Sequence, residues 1–124
     1  MNVTELNDIE RARAIDAILD GLPKLECRGM CQESCGPVFM SRVEWRRIID
    51  RLGYAPKGDA TMACPMLGRK DGRCRVYDIR PGICRLWGLV ASMPCPFGCV
   101  PEGGLLSDAD GHEVLRRIEE ISGP

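Results

Sequence analysis

Apolar residues recur at steps of mostly three over Leu6, Ile9, Ala12, Ile15, Ile18, Leu19 and Leu22, the spacing that lines one face of an α-helix. Thr4 can cap this helix, and Asp20-Gly21 followed by Pro23 ends it after about four turns. Its expected role is to cover a core. Ser41-Arg42-Val43-Glu44 has the form of a capping box and predicts a second helix with Val43, Ile48, Ile49 and Leu52 as apolar members, stopped at Gly53. Trp45 is expected in the core or over a neighbouring loop, and Arg42, Arg46 and Arg47 on a solvated face. Tyr54 to Ala63, with Pro56 and Gly58, reads as a connecting loop. An Asp71-Gly72 turn precedes a short β-prone piece from Arg73 to Tyr77, and Pro81 opens a helical turn. After a turn at Glu102-Gly103-Gly104, Ser107 caps a last amphipathic helix through Val114, Leu115, Ile118 and Ile121, ended by Gly123-Pro124. The fold class is therefore mainly α, with about four helices and little β-structure.

A chain of 124 residues is expected to form one domain with a modest core. Three parts are distinguished: a covering helix over 1–26, a middle over 27–99 and a C-terminal helix over 100–124. Aromatics supply 5% of the residues, while Gly and Pro supply 23. Large anchors are few and loops many, so something besides packing is expected to hold the fold.

Eight cysteines in so short a chain point to disulfides or to metal. Residues 1–8 show no basic start followed by an apolar run, hence no secretory signal is visible. No stretch approaches membrane-spanning length. A cytoplasmic, reducing location is expected, and there thiols stay available as metal ligands. The small, irregular domain is read as metal-stapled.

The central cysteine stretch runs from Cys64 to Gly88. Cys64, Cys74 and Cys84 are nearly evenly spaced, separated by the Asp71-Gly72 turn and the Pro81 helical turn. The turn lets Cys74 face Cys64, and a helix start lowers the pKa of a thiol placed like Cys84. Upstream, Cys27, Cys31 and Cys35 stand at i, i+4 and i+8. On a regular helix the first and last would lie about 12 Å apart, whereas sulfurs on one zinc are about 4 Å apart. Either Gly29 and Gly36 turn this stretch into a loop around one ion, or its cysteines serve two sites or a larger iron–sulfur cluster. Downstream, Cys95 and Cys99, stiffened by Pro94 and Pro96 and hinged by Gly98, form a ligand knuckle.

Net charge is −1 but uneven: residues 42–85 carry eleven basic and five acidic side chains, and both flanks are acidic. Two readings fit this basic middle, a nucleic-acid surface or guanidiniums offsetting the negative charge of metal-bound thiolates. Balance is preferred, because no run of basic residues exceeds two and the few aromatics are not read as interleaved with the arginines in the way stacking platforms need.

The pattern Cys64-Pro65, Cys74-Arg75-Val76-Tyr77-Asp78-Ile79-Arg80-Pro81 and Cys84-Arg85-Leu86-Trp87-Gly88 resembles the bacterial cysteine-cluster proteins described as zinc- or iron-chelating domains and named for a C-x-x-C-x-x-C-C signature. The resemblance spans roughly residues 27 to 99. Its opening signature is spaced C-x3-C-x3-C here, with Gly36 in the place of the final cysteine, and Cys95 and Cys99 can supply what Gly36 does not. The resemblance implies metal chelation by cysteine, and some relatives are thought to carry iron–sulfur clusters in modification enzymes.

The ligand candidates are Cys27, Cys31, Cys35, Cys64, Cys74, Cys84, Cys95 and Cys99, enough for one or two sites holding zinc or an iron–sulfur cluster such as 4Fe–4S. Arg80 and Arg85 are expected beside them, donating to sulfur or to backbone carbonyls. Met66 and Met93 are read as gap-filling residues rather than ligands. His112, the only histidine, is read as solvated. No Cys-His nucleophile pair, phosphate loop or paired-carboxylate site stands out. The expected function is a non-catalytic metal-binding module serving a protein partner. The alternatives are an iron–sulfur protein in electron transfer, sensing or assistance to a modifying enzyme, and an Arg-rich nucleic-acid-binding module.

Overall fold

Asn7, not Thr4, begins the first helix. The Asn7 side chain accepts the Glu10 N–H at 2.8 Å while the Glu10 carboxylate accepts the Asn7 N–H at 3.2 Å, a reciprocal cap that satisfies two of the helix's open donors. The computed structural model describes residues 5–25, 36, 38–58, 61–68 and 71–124, so Thr4 lies outside the described residues. Helix α1 runs Asp8–Asp20. Its Ile15 and Leu19 are buried, whereas Ile9, assigned to the apolar face by its spacing, is 67% exposed.

Helix α2, Arg42–Leu52, follows the sequence expectation at both ends. Ser41 and Glu44 form the capping box, and Gly53 closes the helix in the left-handed region at φ 83°, a conformation that glycine adopts without steric cost. Pro81 is the N-cap of the short helix α3, Gly82–Leu86. Ser107 caps α4, Asp108–Ser122, by accepting the Asp110 N–H at 3.1 Å. Two two-residue strands, β1 (Leu89–Val90) and β2 (Met93–Pro94), pair antiparallel, and Val90 also bridges to Leu106. The β-prone piece at Arg73 to Tyr77 is no strand. It keeps one antiparallel bridge, Leu67 to Cys74, then turns into a 3-10 segment at Tyr77–Ile79.

The interior has two centres with α2 as their common wall. Ile15, Leu19, Val43 and Ile118 form one, flanked by Ala12, Leu22, Val114 and Ile121. Ile48 leaves the other side of α2 to join Met66 and Val76, with Cys64, Cys74, Val38, Met40, Leu52 and Ile79 packed around them. Burying these side chains is the main favourable term for a chain this small. Helices α3 and α4 approach closely at Gly82, where a Cβ would lie 2.5 Å from Ile118 Cδ1, so only glycine fits that contact without displacing a core side chain.

Arginines tie the helices together: Arg42 and Arg46 are exposed as expected and Arg47 is half-buried, but Arg42 and Arg47 also reach across to other helices. Arg42 pairs with Asp8 at 3.0 Å and donates to the Ser122 and Pro124 carbonyls. Arg47 grips Asp16 with two bonds, at 2.6 and 2.9 Å. Arg51 does the same to Asp78, at 2.8 and 2.9 Å. Arg46, paired with Asp50 one turn on along its own helix, is exposed. The forked guanidinium suits such two-point pairing to carboxylates. These partners lie 27 to 34 residues away in sequence, which is why a helical-face pattern does not show them.

Hydrogen bonding from Arg42 and Arg51 holds the Asp8 and Asp78 carboxyls below the usual carboxylate range. A depressed folded-state pKa contributes stability that is present above the unfolded value and lost as pH falls through the folded one. The excess melting temperature of the wild type over an Asp8→Asn, Asp78→Asn variant should therefore be constant near neutrality and shrink below about pH 4. An excess that does not change between neutral and strongly acidic buffer would contradict the assignment.

Candidate metal centre

Two turns built alike carry Cys64 and Cys95. In the first, the Leu67 N–H returns to the Cys64 carbonyl at 3.1 Å; in the second, the Gly98 N–H returns to the Cys95 carbonyl at 3.2 Å. Proline follows each cysteine, fixing φ at the first corner. In both, a backbone N–H two residues on serves the sulfur. Phe97 N–H donates to Cys95 Sγ at 3.4 Å, while the Met66 and Leu67 N–H groups favour the Cys64 thiolate. Gly98, at φ 82°, supplies the left-handed corner that a Cβ would strain. N–H groups directed at sulfur stabilise a thiolate, the protonation state that metals bind.

Cys74 returns to Cys64 across a hairpin. Gly68 N–H donates to the Arg73 carbonyl at 2.8 Å and Arg75 N–H to the Met66 carbonyl at 2.9 Å, while Asp71 accepts the Arg73 N–H at 3.0 Å to set the turn at Gly72. Both cysteines pack on the Ile48, Met66 and Val76 cluster. Burial and the neighbouring Cys74 push the Cys64 thiol up, against the pull of the two N–H groups. A bound cation would reverse that balance by favouring the thiolate.

Cys84 sits in α3, half-buried, with its N–H on the Pro81 carbonyl at 2.9 Å. The helix is fixed from behind by Glu44, a buried side chain. One Glu44 oxygen accepts from the Ser41 N–H and hydroxyl at 3.1 and 2.8 Å, and the other accepts the Gly82 N–H at the start of α3. Glu44 is thus both half of a capping box and the clamp on the cysteine-bearing helix. Arg80 and Arg85 donate to backbone carbonyls, of Tyr77 at 3.1 Å and Leu19 at 3.2 Å. Met66 is buried in the core, and His112 is exposed.

No disulfide joins any two of Cys64, Cys74, Cys84, Cys95 and Cys99, all half-buried. Among the described residues, no three His, Cys, Asp or Glu side chains converge to hold a metal ion. Cys27, Cys31 and Cys35 lie outside the described residues, but both flanks of their stretch are placed. Leu25 packs against Gly88, where a Cβ would be 2.8 Å from Leu25 Cδ2 and 3.8 Å from Cys95 Cβ. At the other end Gly36 lies against the Met62 carbonyl, two residues before Cys64. Of the two described residues that flank these cysteines, Leu25 thus lies beside the Cys95 turn and Gly36 close to the Cys64 turn. Soft sulfur donors in preformed N–H turns fit a zinc or iron centre.

Among the described residues, no helix is long and apolar enough to cross a membrane. No curated protein and no solved structure matches the chain. A family model matches over residues 26–101, the span from just before Cys27 to just past Cys99. By that match the chain belongs to the CxxCxxCC family, described as a Putative zinc- or iron-chelating domain.

Proposed function

We propose that the protein is a non-catalytic module in which cysteine thiolates hold zinc or an iron–sulfur cluster and so staple the fold for a protein partner in the cytoplasm. The observation that carries this reading is the pair of Cys-Pro turns with N–H groups on sulfur, set near Leu25 and Gly36, the described residues that flank Cys27, Cys31 and Cys35. Since the described cysteines alone do not make a three-ligand group, each centre draws at least one donor from that segment. Cys64 and Cys74 form one half-site, Cys95 and Cys99 another, and Cys84 is held near its helix start by Glu44. A bound metal contributes folding free energy directly, which suits a chain whose core is divided into two small clusters.

The second reading is an iron–sulfur protein in electron transfer, sensing or assistance to a modifying enzyme. Proline after the ligand, present in both turns, recurs at iron–sulfur sites. Elemental analysis with visible absorption on anaerobically purified protein separates the two. A colourless protein with stoichiometric zinc supports the structural reading. A brown protein with iron and sulfide, bleached by reductant, supports the second. Neither metal at stoichiometric level would overturn both.

A further inference from the structure

Beyond the cysteines, the fold assembles a surface in which arginine and tyrosine alternate. Arg75 lies with its guanidinium 5.6 Å from the Tyr54 ring centroid and donates to the Tyr54 hydroxyl. Arg80 stacks on Tyr77 at 3.9 Å and is held there by its bond to the Tyr77 carbonyl. The Arg51–Asp78 pair fastens the end of α2, and with it the Tyr54 loop, to the Tyr77 turn, so the two stacks share one face. Tyr54 is 49% and Tyr77 56% exposed.

The charges on this face are unequal. Arg42, Arg46, Arg47 and Arg51 each have an aspartate partner, but among the described residues neither Arg75 nor Arg80 pairs with a carboxylate. Three guanidiniums therefore stand against one carboxylate, Asp78. Tyr77 stands between Arg75 and Arg80 in the chain itself, and folding adds Tyr54, from the loop after α2, beside Arg75 of the hairpin, so arginines and tyrosines interleave on this surface against the sequence expectation.

We propose that this Tyr54–Arg75–Tyr77–Arg80 surface binds single-stranded nucleic acid. Half-exposed rings offer a π-face to an unstacked base, and a guanidinium already stacked on the ring can meet the adjoining phosphate, the combination used by single-strand binders. An acidic peptide would use the guanidiniums and leave the rings idle. The surface stands on residues other than the cysteine ligands, so it holds or fails independently of which metal is bound.

The test is fluorescence anisotropy of the full-length protein with labelled oligo-dT and oligo-U of roughly 12 nucleotides, a length within single-strand site sizes. Two neutralised phosphates should give a log–log salt slope of about −1.4. Tyr77→Ala and the Arg75→Ala, Arg80→Ala pair should each weaken binding about ten-fold, while Tyr77→Phe should retain it, since stacking needs the ring and not the hydroxyl. Unchanged melting and metal content in these variants shows that the loss is local. Absence of binding even at about 20 mM salt, where screening is slight, would overturn the proposal. So would binding that these variants leave intact, or that polyglutamate competes as well as the oligonucleotide does.

Discussion

Cys64→Ser is expected to cut the bound metal by half or more and to lower the melting temperature by at least about 10 °C. Serine keeps the size of the side chain, so the core around Ile48, Met66 and Val76 loses little packing. What goes is a soft, ionisable donor in a turn whose Met66 and Leu67 N–H groups favour the thiolate. Metal affinity in such sites amounts to about 10–16 kcal/mol of folding free energy. Losing several kcal/mol of it moves the melting point of a domain this size by roughly ten degrees or more. Met66→Leu, a change of similar volume at the neighbouring buried position, should leave metal content unaltered and cost less than about 1.5 kcal/mol. Metal analysis and thermal melting of both variants check this, and a serine variant with wild-type metal and melting would remove Cys64 from the ligand set.

Glu44→Ala should destabilise the protein by about 2–5 kcal/mol in urea titration. Its two carboxylate oxygens serve the Ser41 N–H, the Ser41 hydroxyl and the Gly82 N–H in a buried position, and alanine leaves all three donors without that acceptor. The loss exceeds that of an ordinary N-cap, about 1 kcal/mol, because the carboxylate also positions α3. Metal should be held more weakly as well, since Cys84 lies in that helix. Glu44→Gln, retaining one acceptor oxygen, should fall between the two. A Glu44→Ala stability within about 0.5 kcal/mol of wild type, the range of an ordinary surface substitution, would show that the clamp contributes nothing.

What could be read from the sequence was local. The Ser41–Glu44 box, the stops at Gly53 and Gly123 and the Ser107 cap all rest on contacts within four residues, and each was readable from residue type and spacing. The knuckle at Cys95 and Cys99 was legible for the same reason, whereas the matching turn at Cys64-Pro65 emerges only in the structure. Cap choice at the first helix was not, because Thr4 and Asn7 are both good caps and only Asn7 has Glu10 three residues on to complete a box. The strands β1 and β2 are two residues each, too short for an alternating pattern. Long-range roles were invisible: the second oxygen of Glu44 meets Gly82, 38 residues on, and Arg11 reaches the carbonyls of Ile121 and Ser122. For the candidate site, the sequence named cysteines and one hairpin pairing, Cys64 with Cys74. That Leu25 packs at Gly88 and Gly36 lies at Met62, the described residues on either side of Cys27, Cys31 and Cys35, depends on the tertiary fold alone.

X-ray absorption at the metal edge of the anaerobically purified protein tests the sulfur-bound centre most directly. If the Cys-Pro turns and their upstream segment supply the donors, a zinc protein gives a shell of sulfur neighbours near 2.3 Å, and an iron–sulfur protein gives sulfur neighbours with iron beyond them. A shell of nitrogen and oxygen alone, at about 2.0–2.2 Å, would contradict it.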